Sequence, residues 1–196
     1  PTHCTAHLVG VTGERLTAVS CVGWGDDSPL LKGNPYKNPF WNETAEFTTD
    51  RGHSFHVEVW WAGAHVGCER AEWYGTKMSF ICENRLGTQA TLVFAGEQKE
   101  LDSGGFVRSA PRVQPYEIPQ WWATEMLPEP LRHDSGHEGS HTFITHEFID
   151  ALVNERRPAV DVYEAIAYTA PGIVAHQSAL RNGERLKIPD FGRASA

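Results

Sequence analysis

Five consecutive residues, His137-Glu138-Gly139-Ser140-His141, spell H-E-x-x-H. On a helix, residues i and i+4 share a face, so two imidazoles at this spacing can reach one Zn²⁺. That chemistry requires a helix through the motif. Here its third and fourth positions are Gly139 and Ser140, and Asp134-Ser135-Gly136 leads into it. Gly costs about 1 kcal/mol in a helix relative to Ala, and Ser prefers caps and turns. The apolar helical pattern begins only at Phe143. The motif is therefore expected in a loop running into a helix start, where the two histidines need not face one another. His133 and His146 crowd the same span. Three readings stay open: a metal site in a loop, a hydrogen-bonded histidine cluster without a ligand, and a polar loop facing a substrate. Gly136 and Gly139 allow close backbone approach to a ligand, which favours the third. No residue is assigned as a metal ligand.

The elements that must position this loop follow from composition and periodicity. A chain of 196 residues with 40% hydrophobic and 21% charged content is an ordinary globular sequence, large enough for one domain with a real core. Its net charge is −8 and it has no Lys/Arg run, so no nucleic-acid partner is expected. No apolar stretch approaches the roughly 20 residues of a membrane helix. Cys4, Cys21, Cys68 and Cys82 lack C-x-x-C spacing. They read as reduced buried thiols, which favours a reducing compartment, and a cytoplasmic location is expected. The sequence opens at Pro1 with no initiator Met and no signal-peptide pattern, and it is expected to be a fragment or a truncated chain.

The chain is read as one domain, 1–196, in four stretches. Over 1–25, Thr2 caps a short helix across His3 to Thr12, Gly13 ends it, and Leu16–Trp24 alternates as a strand. Residues 44–108 read as a strand-rich zone with short turns, hence antiparallel. In Ser54 to Trp61, Phe55, Val57, Val59 and Trp61 share one face, and His56, Glu58 and Trp60 the other. Further strands are expected at Cys68–Tyr74, Lys77–Glu83 and Thr91–Ala95. One sheet face should carry helices. The other presents Trp60 among charges, and a second subunit is expected to cover it. Residues 111–139, with five prolines, read as a long functional loop. Two helices and a closing edge fill 140–191. Ser140 or Thr142 is expected to cap the first, which ends at Arg156-Arg157-Pro158. Asp161 caps the second, with Glu164 reaching back. Pro171 is a candidate kink, Asn182-Gly183 a stop, and Arg185–Ile188 an edge strand. Tyr163, Tyr168, Ile173 and Val174 read as core, and His176 as a core histidine bonded to a neighbour. The fold class is α+β: an open, mostly antiparallel sheet with helices on one face.

Residues 136–191 carry a further signal. Gly136-His137-Glu138-Gly139, Asp161-Val162-Tyr163-Glu164-Ala165, Ser178 and Pro189-Asp190-Phe191 resemble the C-terminal signature of the glucose–fructose oxidoreductase/inositol dehydrogenase (Gfo/Idh/MocA) family. The similarity is closest to the branch of NAD-dependent N-acetylgalactosaminidases. Pro1-Thr2-His3 and the strand after it are similar to that family's Y-P-T-H segment. The resemblance implies two parts: a Rossmann domain for NAD or NADP, and a C-terminal domain that binds sugar and forms oligomers. No strand-linked G-x-G-x-x-G and no E-K-P lysine segment occur here, so this chain corresponds to the second part alone. It is expected to bind no cofactor by itself, to be inactive alone, and to work with a separate Rossmann domain. A non-catalytic split or truncated protein that binds sugar or oligomerises is the alternative, and a zinc-dependent hydrolase acting through His137–His141 a lesser one.

Residue roles follow from the same resemblance. His3 corresponds to the histidine that orients or deprotonates the hydroxyl being oxidised, a step suited to an imidazole. His137 with Gly136 is expected to contact substrate, and His141 more weakly. Trp121 and Trp122 are flat faces on which a sugar ring can stack, and burial at a contact is the competing reading. In the glycosidase branch, oxidation at C3 acidifies the C2 proton, and the glycosidic bond then leaves by elimination.

Overall fold

The structure, a computed structural model, describes residues 2–65, 67, 69–84, 86–137 and 139–193. In chain order the elements are α1 (Thr2–Thr12), β1 (Leu16–Trp24), α2 (Pro29–Lys32), β2 (Asn42–Thr49), β3 (Ser54–Trp60), β4 (Glu72–Tyr74), β5 (Met78–Ile81), β6 (Thr91–Phe94), β7 (Gln98–Glu100), β8 (Phe106–Arg108), β9 (Arg112–Pro115), α3 (Ser140–Val153), α4 (Val162–Ala179) and β10 (Leu186–Lys187). Short 3₁₀ turns lie at Trp121–Ala123 and Glu129–Leu131. They form two compact units, Pro1–His65 with Arg157–Ala196, and Val66–Arg156.

The first unit is a four-stranded sheet in the order β10-β1-β2-β3, with every pair antiparallel. Strand alternation divides its faces. Val19, Cys21, Ala45, Phe47 and Val57 are buried beneath α1 and α4. Burying the larger of these, Val19, Phe47 and Val57, contributes about 1.5–3 kcal/mol each, which fixes the register. Val22, Trp24, His56, Glu58 and Trp60 lie on the opposite, open face. α1 stops where expected: Gly13 takes φ +67° and donates to Val9 O at 2.9 Å. Asp161 caps α4, accepting from the Tyr163 and Glu164 amides.

Glu164 does not complete a capping box. It pairs with Arg15, a partner 149 residues away that sequence spacing cannot reveal. α4 is continuous through Pro171. Pro171 leaves the Ala167 carbonyl without its helical donor, and the fully buried Thr5 hydroxyl donates to the neighbouring Tyr168 carbonyl. Asn182 (φ +56°) and Gly183 (φ +86°) turn the chain away, and the Gly183 amide donates to Ser178 O at 3.0 Å. Buried Ser178 then accepts from the Cys21 amide at 2.8 Å and donates to Glu184 O at 2.6 Å. It thereby pairs an amide of β1 beyond the reach of two-residue β10.

The strands expected as one sheet over 44–108 are shared among three. β2 and β3 join β1 and β10. In the second unit β4-β5-β6-β9 form one antiparallel sheet, and β7-β8 a hairpin. The expected strands at 68–74 and 77–83 shorten to Glu72–Tyr74 and Met78–Ile81; Cys68 lies outside the described residues. The long loop at 111–139 also holds order: β9 pairs with β6, and the two 3₁₀ turns follow. α3 is capped by neither Ser140 nor Thr142. Ser135 does this from outside the helix, accepting from the Thr142 amide at 2.9 Å and donating to Gly139 O at 3.1 Å. Among the described residues no helix is long and apolar enough to cross a membrane.

Candidate functional site

The expected site residues fall in different units. His3 lies exposed in the first turn of α1, in the first unit. Gly136, His137, His141, Trp121 and Trp122 belong to the second.

In the second unit, Gly136 (φ +90°), His137 (φ +43°) and Gly139 (φ +87°) are all left-handed. No helix passes through H-E-x-x-H, and α3 begins at Ser140. Glu138 lies outside the described residues. The sequence reading left open whether the two histidines face one another, and they do meet: the His137 and His141 ring centroids are 4.9 Å apart at 54°. They meet because the loop folds back, not by helical spacing. Among the described residues no group of three His, Cys, Asp or Glu could hold a metal ion. The space beside the glycines is taken by the protein itself. A Cβ on Gly139 would sit 2.1 Å from Trp122 Cδ1, and one on Gly136 3.0 Å from His141 Nδ1. Trp122 is accordingly half-buried, whereas Trp121 is exposed. Of the two stacking candidates, Trp121 presents the freer face.

The first unit contains a cavity of about 680 Å³ that sequence reasoning missed. One wall is the 26–41 segment, to which the sequence reading assigned nothing. Its path depends on two glycines. A Cβ on Gly23 would lie 2.4 Å from the Phe40 ring, and one on Gly25 1.9 Å from Pro39 O. Asn34 pins the turn from within, accepting from the Tyr36 and Asn38 amides at 3.1 Å and donating to Asn38 O at 2.8 Å. The Trp41 indole donates to Asp26 at 2.9 Å. The opposite wall is α4, with Ile173 and His176, and Thr2 of α1 lies at the margin. His176 is thus not a core residue: its ring is one-third exposed and lines the cavity. Its Nδ1 lies 2.6 Å from Glu43 Oε1, and Phe40 meets it edge-on at 6.0 Å. Ile173 and Tyr163, also expected in the core, are exposed, while Val174 is buried. The Asn34, Asn38 turn and the density of aromatics at 36–41 were the available sequence signal.

Electrostatics separate working groups from inert ones. Burial, then the Glu43 charge, pushes the Cys21 thiol up to about 12, so it is no nucleophile. On the open face, hydrogen bonds to Glu58 and Glu46 raise His56 above the usual histidine range. Beside it Val22, Trp24 and Trp60 line a groove of about 520 Å³.

The implied dinucleotide can be tested against this fold. A Rossmann site needs parallel strands and a glycine-rich turn into a helix N-terminus. Among the described residues every strand pairing is antiparallel. The described residues thus form no Rossmann-type dinucleotide site, and no step of its chemistry is assigned to them.

Comparison with known proteins agrees with this architecture. Residues 98–196 match the family model described as glycosyl hydrolase 109, C-terminal domain. A glycosyl hydrolase family 109 protein from Solibacter usitatus is 32% identical over 78 residues, which are 40% of this chain and 17% of that protein. An alpha-N-acetylgalactosaminidase from Tannerella forsythia is 33% identical over 60 residues, 31% of this chain and 13% of that protein. Levoglucosan dehydrogenase, solved with NADH and levoglucosan, superposes with a TM-score of 0.60 at 16% identity. That match covers 95% of this chain and 47% of the dehydrogenase, so the chain spans under half of it. At such identity the likeness is one of fold. The family match takes in half of the sequence, and the α+β fold extends the likeness over nearly all of it: the chain belongs to the glycosyl hydrolase 109 C-terminal domain family.

Proposed function

We propose that this chain is the substrate-binding and oligomerisation domain of an NAD(P)-dependent sugar oxidoreductase or oxidative glycosidase. The nucleotide is held by a separate Rossmann half. One observation carries the reading: residues 98–196 match a glycosyl hydrolase 109 C-terminal domain, and among the described residues every strand pairing is antiparallel, unlike a Rossmann sheet. His3 acts at the substrate hydroxyl, where an imidazole nitrogen can take up the proton. His137, Gly136, His141, Trp121 and Trp122 contact the sugar. The open sheet face, with exposed Val22, Trp24 and Trp60, joins copies of the chain. A cytoplasmic location goes with the free thiols of Cys21 and Cys82.

The same antiparallel topology favours one alternative, a protein that binds sugar or assembles without catalysing anything. An assay separates them. In the protein that joins this chain to a nucleotide-binding half, turnover of an N-acetylgalactosaminide requires NAD⁺ or NADP⁺. His3→Ala lowers kcat by roughly 100-fold or more, the usual scale for losing a positioned acid or base, with little change in KM. Equal turnover without nucleotide, or an unaffected His3→Ala, overturns the proposal.

A further inference from the structure

We propose that the cavity between the 26–41 segment and α4 is a sugar subsite, in which His176, oriented by Glu43, hydrogen-bonds a ring hydroxyl. The proposal rests on the reading of this chain as a sugar-binding domain, and it adds a site remote in sequence from the 136–141 loop.

Four observations carry it. The volume, about 680 Å³, lies within the range of small-ligand pockets, roughly 300–1,000 Å³. Its lining combines aromatic faces, Phe40, Trp41 and Trp61, with the polar His176–Glu43 pair. A pyranose has the same mixed character: C–H faces that pack on aromatic rings, and hydroxyls around its edge. The Glu43 carboxylate engages Nδ1 of His176 at 2.6 Å. That contact sets the ring's orientation and leaves Nε2 with no hydrogen bond among the described residues. A carboxylate holding one imidazole nitrogen while the other meets a ligand is a recurrent way to position a histidine. Finally, Thr2 borders the cavity and immediately precedes His3, the residue proposed to act on the substrate hydroxyl. His176 is thus the recognition residue of this cavity, and Glu43 positions it.

The test uses the whole chain and N-acetylgalactosamine as probe. Imidazole nitrogen resonances are followed by NMR during titration, and affinity is measured for three variants. His176→Asn keeps an amide near the Nδ1 position for Glu43 but loses Nε2. His176→Gln places an amide near Nε2. Ile173→Trp fills the cavity from an exposed position of α4 and leaves the histidine intact. The sugar is expected to shift the His176 ring signals. His176→Asn should weaken binding by roughly 3- to 10-fold, the scale of one hydrogen bond to a neutral group, His176→Gln less, and Ile173→Trp should abolish it. If the sugar instead moves only His137 and His141, and Ile173→Trp binds like the parent, the subsite is refuted while the proposed function stands. If no binding occurs at any concentration, both fail.

Discussion

Replacing Ser178 by Ala removes one hydroxyl from the centre of the first unit. The side chain is fully buried, and its oxygen makes two bonds: it accepts from the Cys21 amide at 2.8 Å and donates to the Glu184 carbonyl at 2.6 Å. Alanine nearly preserves the volume, so the loss is polar rather than a cavity. The Cys21 amide faces no strand partner on that side, because β10 pairs only with Ala18 and Val19. Leaving it unsatisfied costs about 1–3 kcal/mol. The Glu184 carbonyl lies at an exposed turn and can turn to water, which limits its loss to about 0.5–1.5 kcal/mol. Together these give about 1.5–4.5 kcal/mol, a large share of the 5–15 kcal/mol that typically separates folded from unfolded. At about 2–4 °C per kcal/mol for a chain of this length, Tm falls by roughly 3–18 °C. Urea unfolding followed by circular dichroism measures the free energy, and amide exchange at Cys21 locates it. A change under about 0.5 kcal/mol, or unaltered exchange at Cys21, would refute the reasoning.

Three further outcomes are expected. Glu14 is buried against His53, 2.9 Å from its ring, and hydrogen bonding to Thr49 foremost holds its carboxyl below the usual range. A lowered carboxyl stabilises the fold above its unfolded value, about pH 4.3, and that contribution is lost as pH falls through the lower folded value. Glu14→Gln is therefore less stable than the parent at pH 7, and the gap closes in acid; a gap independent of pH would contradict this. Gly139→Ala places a Cβ at φ +87° and 2.1 Å from the Trp122 ring. It should cost more than about 1 kcal/mol and change the near-ultraviolet dichroism of the tryptophans, whereas parental stability would show the loop is free to move. Val22→Glu puts a charge on the open sheet face, and sedimentation velocity should report a monomer where the parent associates. A parent that stays monomeric at high concentration removes that interface.

Local chemistry was legible in the sequence, and long-range pairing was not. α1, β1 and the Asp161 cap follow from alternation, from Gly13 and from a capping side chain within three residues of its targets. The loop that holds Gly136, His137 and Gly139 follows from glycine and serine placement, which is why the H-E-x-x-H letters did not imply a helix. Glu164 was misread because its partner, Arg15, is distant in sequence. β9 hid among prolines because its pairing with β6 gives no local period, and β7 and β8 are too short and exposed to alternate. The His176 cavity was invisible for a similar reason. Its floor is on α4 and its wall is a loop held by Asn34 and by two glycines of β1 and its end, so no single window of sequence contains it.

Two calorimetric titrations of the purified chain bear on the division of labour between sugar and nucleotide. N-acetylgalactosamine should give saturable heat near one equivalent per chain, and NAD⁺ should give none beyond dilution. Saturable NAD⁺ binding with a silent sugar titration would contradict the assignment of this domain to the substrate side of the reaction.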